Sequence, residues 1–178
     1  MLAWLAASAA QAAITTPAAV TAPVLLEPPA SRLRYTVFAL GMLPLEAQFE
    51  RFSGSLRVDP ARPSACRVEV TVEVASLHMD DPDRNKIALG PAMLDAARYP
   101  TMRFAGRCQG ARLVGELTLH GITRRLTMSV RRAGAHVVAT GMVQRRDYGI
   151  RGLYWLVGQR VQFRLDAELP HVAAAGPL

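Results

Sequence analysis

The sequence predicts an all-β fold: a closed, eight-stranded antiparallel barrel with a short helical insertion between strands. Three observations predict it. Hydrophobic residues make up 51% of the chain but aromatic residues only 6%. The aliphatic side chains fall in short runs that alternate with polar ones. Half-buried strands need that period, because successive side chains point to opposite faces. Eight such runs occur, a number that suits a closed barrel able to hold one small ligand. At 178 residues the expectation is a single domain.

The chain opens without charge until Glu27. Leu2 to Ala10 is apolar, and Ala10-Gln11-Ala12 fits a small-residue cleavage site. Residues 1–12 are therefore read as the remnant of a secretory signal peptide, although a basic leading region is missing. A membrane anchor is the other reading, opposed by Thr15, Thr16, Pro17, Thr21 and Pro23. Residues 13–30 are rich in Ala, Pro and Thr and are expected to be an extended lead-in. The barrel is placed at 31–170 and a tail at 171–178. A periplasmic or secreted location follows from the leader.

Strands are expected at about 33–42, 45–58, 66–75, 101–108, 112–120, 124–132, 136–145 and 160–169. The clearest are Cys66 to Val74, with Cys66, Val68, Val70, Val72 and Val74 on one face, and Val161 to Leu169. Leu113 to Leu119 and Leu126 to Val130 flank a turn signal at Gly121 and read as a hairpin. Residues 78–100 break the alternation. Asp83 is expected to cap a helical run from Arg84 to Leu89, with Gly90 ending it and Pro91 starting another turn. Ile87, Leu89, Met93 and Leu94 would make this insertion a lid over one barrel end.

The inward set is almost wholly apolar. It comprises Leu33, Tyr35 and Val37; Phe49; Val70 and Val72; Met102 and Phe104; Leu117 and Leu119; Met128 and Val130; and Phe163 and Leu165. Met93 and Leu94 would join it from the insertion. Periodicity alone leaves two interiors open, a packed core or a ligand cavity. Methionines 102, 128 and 142 would adapt to a ligand chain of variable shape.

Cys66 begins one strand and Cys108 ends the next. Paired antiparallel, they stand opposite each other within disulfide range. Two buried free thiols are the alternative. The four histidines have no metal-ligand spacing, and Asp80, Asp81 and Asp83 lack the rest of a calcium loop. His120 is read as an ordinary exposed histidine beside a turn. No nucleophile elbow, phosphate loop or dinucleotide fingerprint occurs. No catalytic residue, metal or cofactor is expected. Arg146 and Asp147 are candidates for a polar head group, a structural ion pair being the competing reading.

Net charge is +7, carried by arginines and the single lysine Lys86. Arg67, Arg103, Arg107, Arg131 and Arg164 occupy polar strand positions, so they form a solvated outer face. No aromatic residues interleave with them, which speaks against nucleic acid. Weak contact with an anionic membrane surface is compatible with them, and a homodimer stays open.

Five segments in the right order resemble the YceI-like family. They are Gly41 with Phe49 to Gly54; Val70 to Leu77; Asp95 to Phe104 (DAARYPTMRF); Leu113 to Val130; and Gln144 to Ile150 (QRRDYGI). The match covers roughly 26–169. It departs at Glu27, Ala30, Ser31, Ala39 and in the run Arg84 to Ala88. The resemblance implies a lipocalin-like barrel enclosing a polyisoprenoid, isoprenoid quinone or fatty-acyl lipid, for transport or storage. Ten buried methylenes would supply about 8 kcal/mol before ordering costs. The competing classes are an interaction or stress-response module with a packed barrel, and an enzyme acting on a lipid. The enzyme would need a buried polar pair, for which the inward set offers only Tyr35.

Overall fold

A computed structural model describes residues 23–59, 62–153 and 155–169. The expectations for the leader and the C-terminal tail lie outside these residues. Eleven antiparallel strands form one curled sheet, a half-barrel. In chain order they are β1 (Val24–Leu25), β2 (Ser31–Ala39), β3 (Leu43–Phe49), β4 (Phe52–Asp59), β5 (Arg62–Glu73), β6 (Leu77–His78), β7 (Thr101–Gln109), β8 (Arg112–Leu119), β9 (Ile122–Ala133), β10 (His136–Gln144) and β11 (Val157–Glu168). The strands are ordered β1-β4-β5-β7-β8-β9-β10-β11-β2-β3-β6.

Eight strands were expected, and the described residues form eleven; no ladder joins β3 to β4 to close the barrel. The run expected at 45–58 is two strands, β3 and β4. They are consecutive in sequence yet lie near opposite ends of the sheet, and they are not paired with each other. Glu50 and Arg51 carry the chain across. The Arg51 guanidinium donates to both carboxylate oxygens of Glu73, at 2.7 and 2.8 Å. Buried Ser76 donates its hydroxyl to the carbonyls of Arg51 and Glu73. A 3-10 turn at Val74–Ser76 then delivers β6 to β3. Hydrophobicity did not mark this corner, because apolar alternation resumes at Phe52. Within the expected lead-in, Val24 and Leu25 form β1 and pair with Leu56 and Ser55 of β4.

The inner face is apolar along every long strand. Val68, Val70 and Val72 of β5 are buried, as are Leu113, Leu117 and Leu119 of β8 and Leu126 and Met128 of β9. Between them Arg67, Arg103, Arg107, Arg131 and Arg164 stand exposed on the outer face. Burying each large aliphatic side chain contributes about 1.5–3 kcal/mol, so this face drives the curl. β5 and β7 pair with Val72 opposite Met102 and Arg67 opposite Arg107. One step further Cys66 is joined to Cys108 as a disulfide, with Cα atoms 4.8 Å apart.

The insertion contains one helix, α1 (Pro82–Leu89). Its cap is Asp81, not Asp83: the Asp81 carboxylate accepts from the amides of Asp83 and Arg84. Pro82 then takes the first helical position, which has no amide partner to lose. Turns follow Gly90 and no second helix forms at Pro91. Ile87 points outward, 52% exposed, so it is no part of the lid's inner face; Ala88 takes that role.

Candidate functional site

Two small apolar cavities share part of their walls. One is bounded by Tyr35, Val37, Phe49, Met93, Leu94 and Leu119, and by buried Arg145 and Val157. The other is bounded by Leu33, Val70, Val72, Leu117, Met128 and Leu165. Met102 and Phe163 line both, so these two side chains form the partition. Each cavity has a volume of about 50 Å³. Drug-sized ligand sites run from about 300 Å³ upward. Of the two interiors that periodicity leaves open, this structure is therefore near the packed one; side chains fill most of the space a long ligand would need.

Fifteen of the sixteen sequence-derived lining residues border one cavity or the other. Val130 does not; it is half-buried and packs against the core. Met142 is 57% exposed on the outer face of β10, which removes it from the adaptable methionines. The sequence reading missed Ala88, Val143, Ile150, Val157 and, above all, Arg145. Parity held the signal: Val143 faces inward on β10, and two residues on is Arg145.

Arg145 is 4% exposed. It lies in a 3-10 turn, Arg145–Tyr148, that ends on Gly149 in the left-handed region. Its Nε donates to the Gly158 carbonyl at 3.0 Å. Nη1 donates to the Gly152 carbonyl at 3.1 Å and lies 3.4 Å from the Met93 sulfur. Nη2 donates to the Val157 carbonyl at 2.9 Å. Among the described residues no carboxylate pairs with it. One buried cation thus ties the 152–158 loop and the insertion to the end of β10. Backbone approach there is close: a Cβ on Gly152 would run into the Ala92 carbonyl. Burial lowers the Arg145 pKa from its ordinary value, and proximity to the Tyr35 phenol works the other way. Burial pushes Tyr35 up to about 12, with Arg145 opposing. At neutral pH the cavity therefore presents a neutral phenol and a guanidinium occupied by carbonyls. Neither is set up as a general base or nucleophile.

Arg146 and Asp147, the expected head-group candidates, are exposed on the outside and 3.8 Å apart. His120 also departs from expectation. Its Nδ1 lies 3.1 Å from the Tyr148 carbonyl, its ring centroid 4.2 Å from that of Tyr99, and its Nε2 is buried without a partner. With Gly121 it forms the β8–β9 turn, where both residues have positive φ.

Comparison with known proteins agrees with this architecture. The chain is 29% identical over 131 residues to a UPF0312 protein of Pseudomonas putida (strain W619), covering 64% of this chain and 67% of that one. A UPF0312 protein of Yersinia pestis (strain Pestoides F) is 25% identical over 151 residues, covering 76% and 79%. Among solved structures, Burkholderia cenocepacia BcnA superposes with a TM-score of 0.63 at 23% identity, covering 76% of this chain and 94% of that one. A polyisoprenoid binding domain from Saccharophagus degradans, implicated in plant cell wall breakdown, gives 0.56 at 17% identity, covering 79% and 95%. At these identities the structural likeness establishes the fold. The YceI-like domain profile matches residues 25–169, most of the chain, and the chain therefore belongs to the YceI-like family.

Proposed function

We propose that the protein encloses a long apolar chain in its interior, as a periplasmic or secreted binding protein for a polyisoprenoid, isoprenoid quinone or fatty-acyl lipid. The observation that carries this is the pair of neighbouring apolar cavities that share Met102 and Phe163 in their walls. An unbranched methionine is the easiest wall to move. The neighbouring fold described as polyisoprenoid-binding supports the ligand class. The Cys66–Cys108 bridge supports an oxidising compartment. Binding rather than catalysis is the activity, since the polar side chains that line the two cavities are Tyr35, held neutral, and Arg145, engaged by carbonyls. Weak contact with an anionic membrane belongs to the same reading.

The small cavity volume favours a second reading, a packed barrel that serves as an interaction or stress-response module. Titration with a fluorescent long-chain isoprenoid separates the two. The binding reading expects saturable uptake, abolished by Met102→Trp, which blocks the partition, and retained by Met102→Ala. The Ala variant should also lose about 2–5 kcal/mol of ligand-free stability. Absence of saturable uptake by the unaltered protein would leave the packed module.

A further inference from the structure

The loops beside the Arg145 clamp carry an apolar surface that the interior does not use. β2 and β3 turn through Leu40–Gly41, both with positive φ. Leu40, Met42 and Leu43 project into solvent; Met42 is 83% exposed and Leu40 68%. Trp155, on the neighbouring loop, is 69% exposed. The Leu40 amide donates to the Leu156 carbonyl at 2.8 Å, so the two loops form one platform. Leu40 has φ 50°, a left-handed backbone that asparagine or glycine adopts far more readily than leucine. Turn chemistry does not call for leucine there and the core does not receive it. An outlier of this kind points to a use outside the fold.

Two cations lie close to the platform in sequence. Arg151 lies on the same loop as Trp155, and Arg160 follows in the irregular stretch of β11 between Val157 and Val161, the residues that pair with Ala39 and Val37 of β2. Both are exposed, and among the described residues neither pairs with a carboxylate. Exposed tryptophan, arginine and aliphatic side chains on these neighbouring segments match the layers of a bilayer interface. The ring sits at the head groups, the guanidinium meets phosphate, and the aliphatic chains reach below. The platform adjoins the cavity wall: Val37 and Val157, which line it, neighbour Phe38 and Leu156 in sequence.

We propose that this platform docks the protein on an anionic phospholipid bilayer with the Arg145 end of the barrel facing the lipid. The proposal rests on the lipid-binding reading and names the surface through which lipid would pass. It uses residues outside the interior, so the two can fail separately. A second copy of the chain fits this surface less well. A two-fold contact over one patch would bring Arg151 and Arg160 of both copies together.

The test uses the full chain carrying Trp4→Phe, which leaves Trp155 as the sole tryptophan. It is mixed with phosphatidylcholine vesicles, with and without phosphatidylglycerol. Flotation with the phosphatidylglycerol vesicles and a blue shift of Trp155 emission are expected. Leu40→Asn with Met42→Ser should lower vesicle affinity about tenfold. The same pair should keep or raise the melting temperature, because asparagine suits the left-handed turn. Arg151→Gln with Arg160→Gln should lower affinity about fivefold per arginine, for phosphatidylglycerol vesicles only. Both pairs should take up isoprenoid in the interior like the unaltered protein. Vesicle binding unchanged in both pairs would overturn the proposal and assign the contact elsewhere, such as the uncharged first residues. A lipid-independent dimer that Leu40→Asn with Met42→Ser dissolves, with no vesicle binding, would overturn it in favour of a second copy.

Discussion

Tyr35 and Arg145 are the polar side chains that line the cavity, and each is accommodated differently. Arg145 keeps its charge by handing its hydrogens to the carbonyls of Gly152, Val157 and Gly158. Tyr35 stays neutral because burial pushes its phenol up to about 12 from 10.0, Arg145 offsetting only part of that. The consequence for stability has a definite sign. The folded form holds the proton more tightly than the unfolded one. The contribution is therefore complete below pH 10 and is lost as pH rises toward about 12. Chemical denaturation from pH 9 upward should show stability falling by about 2–3 kcal/mol across that window. Tyr35→Phe should flatten the slope; an equal slope in the variant would assign the loss to other groups.

At the scale of elements, the insertion and the disulfide make separable claims. Ala88, Met93 and Leu94 border the inner cavity while Ile87 faces solvent. Leu94→Asp should therefore speed lipid release more than it lowers the melting temperature, because the ladder bonds of the sheet are untouched. A large stability loss with an unchanged off-rate would make the segment a brace. Cys66 and Cys108 close a loop of sequence separation 42. Replacing both by alanine should cost about 4 kcal/mol in the chain-entropy view, read as a lower urea midpoint. An unchanged midpoint would mean the β5–β7 pairing already supplies the constraint.

These elements also show what could be read in advance. Period-two alternation located β5, β7, β8 and β11, and parity put Val70, Val72, Phe104 and Leu117 on the buried face. The β3–β4 corner was not legible, since it depends on the Arg51–Glu73 pair and the Ser76 hydroxyl, both brought together from a distance. Helix capping was misplaced by two residues because Asp81 and Asp83 are both competent caps; Pro82 between them decides for Asp81. Arg145 was overlooked because a charged residue at an inward position reads as the end of a strand rather than as its continuation.

At the scale of the whole molecule, a curled sheet with an apolar inner face has two outcomes: it packs shut, or it closes around something. Two cavities of about 50 Å³ on either side of Met102 and Phe163 place this protein near the boundary between them. On the proposed reading, displacing Met102 or Phe163 would join the cavities, and each methylene then buried would return about 0.8 kcal/mol. Uptake would thus be coupled to movement of a few side chains, with the ladder as a fixed frame. Purification from the native host followed by lipid extraction and mass spectrometry tests this most directly. The account predicts one long-chain amphiphile near equimolar with protein, lost from the Met102→Trp variant. Protein that carries no such lipid, and takes none up when it is offered, would contradict it.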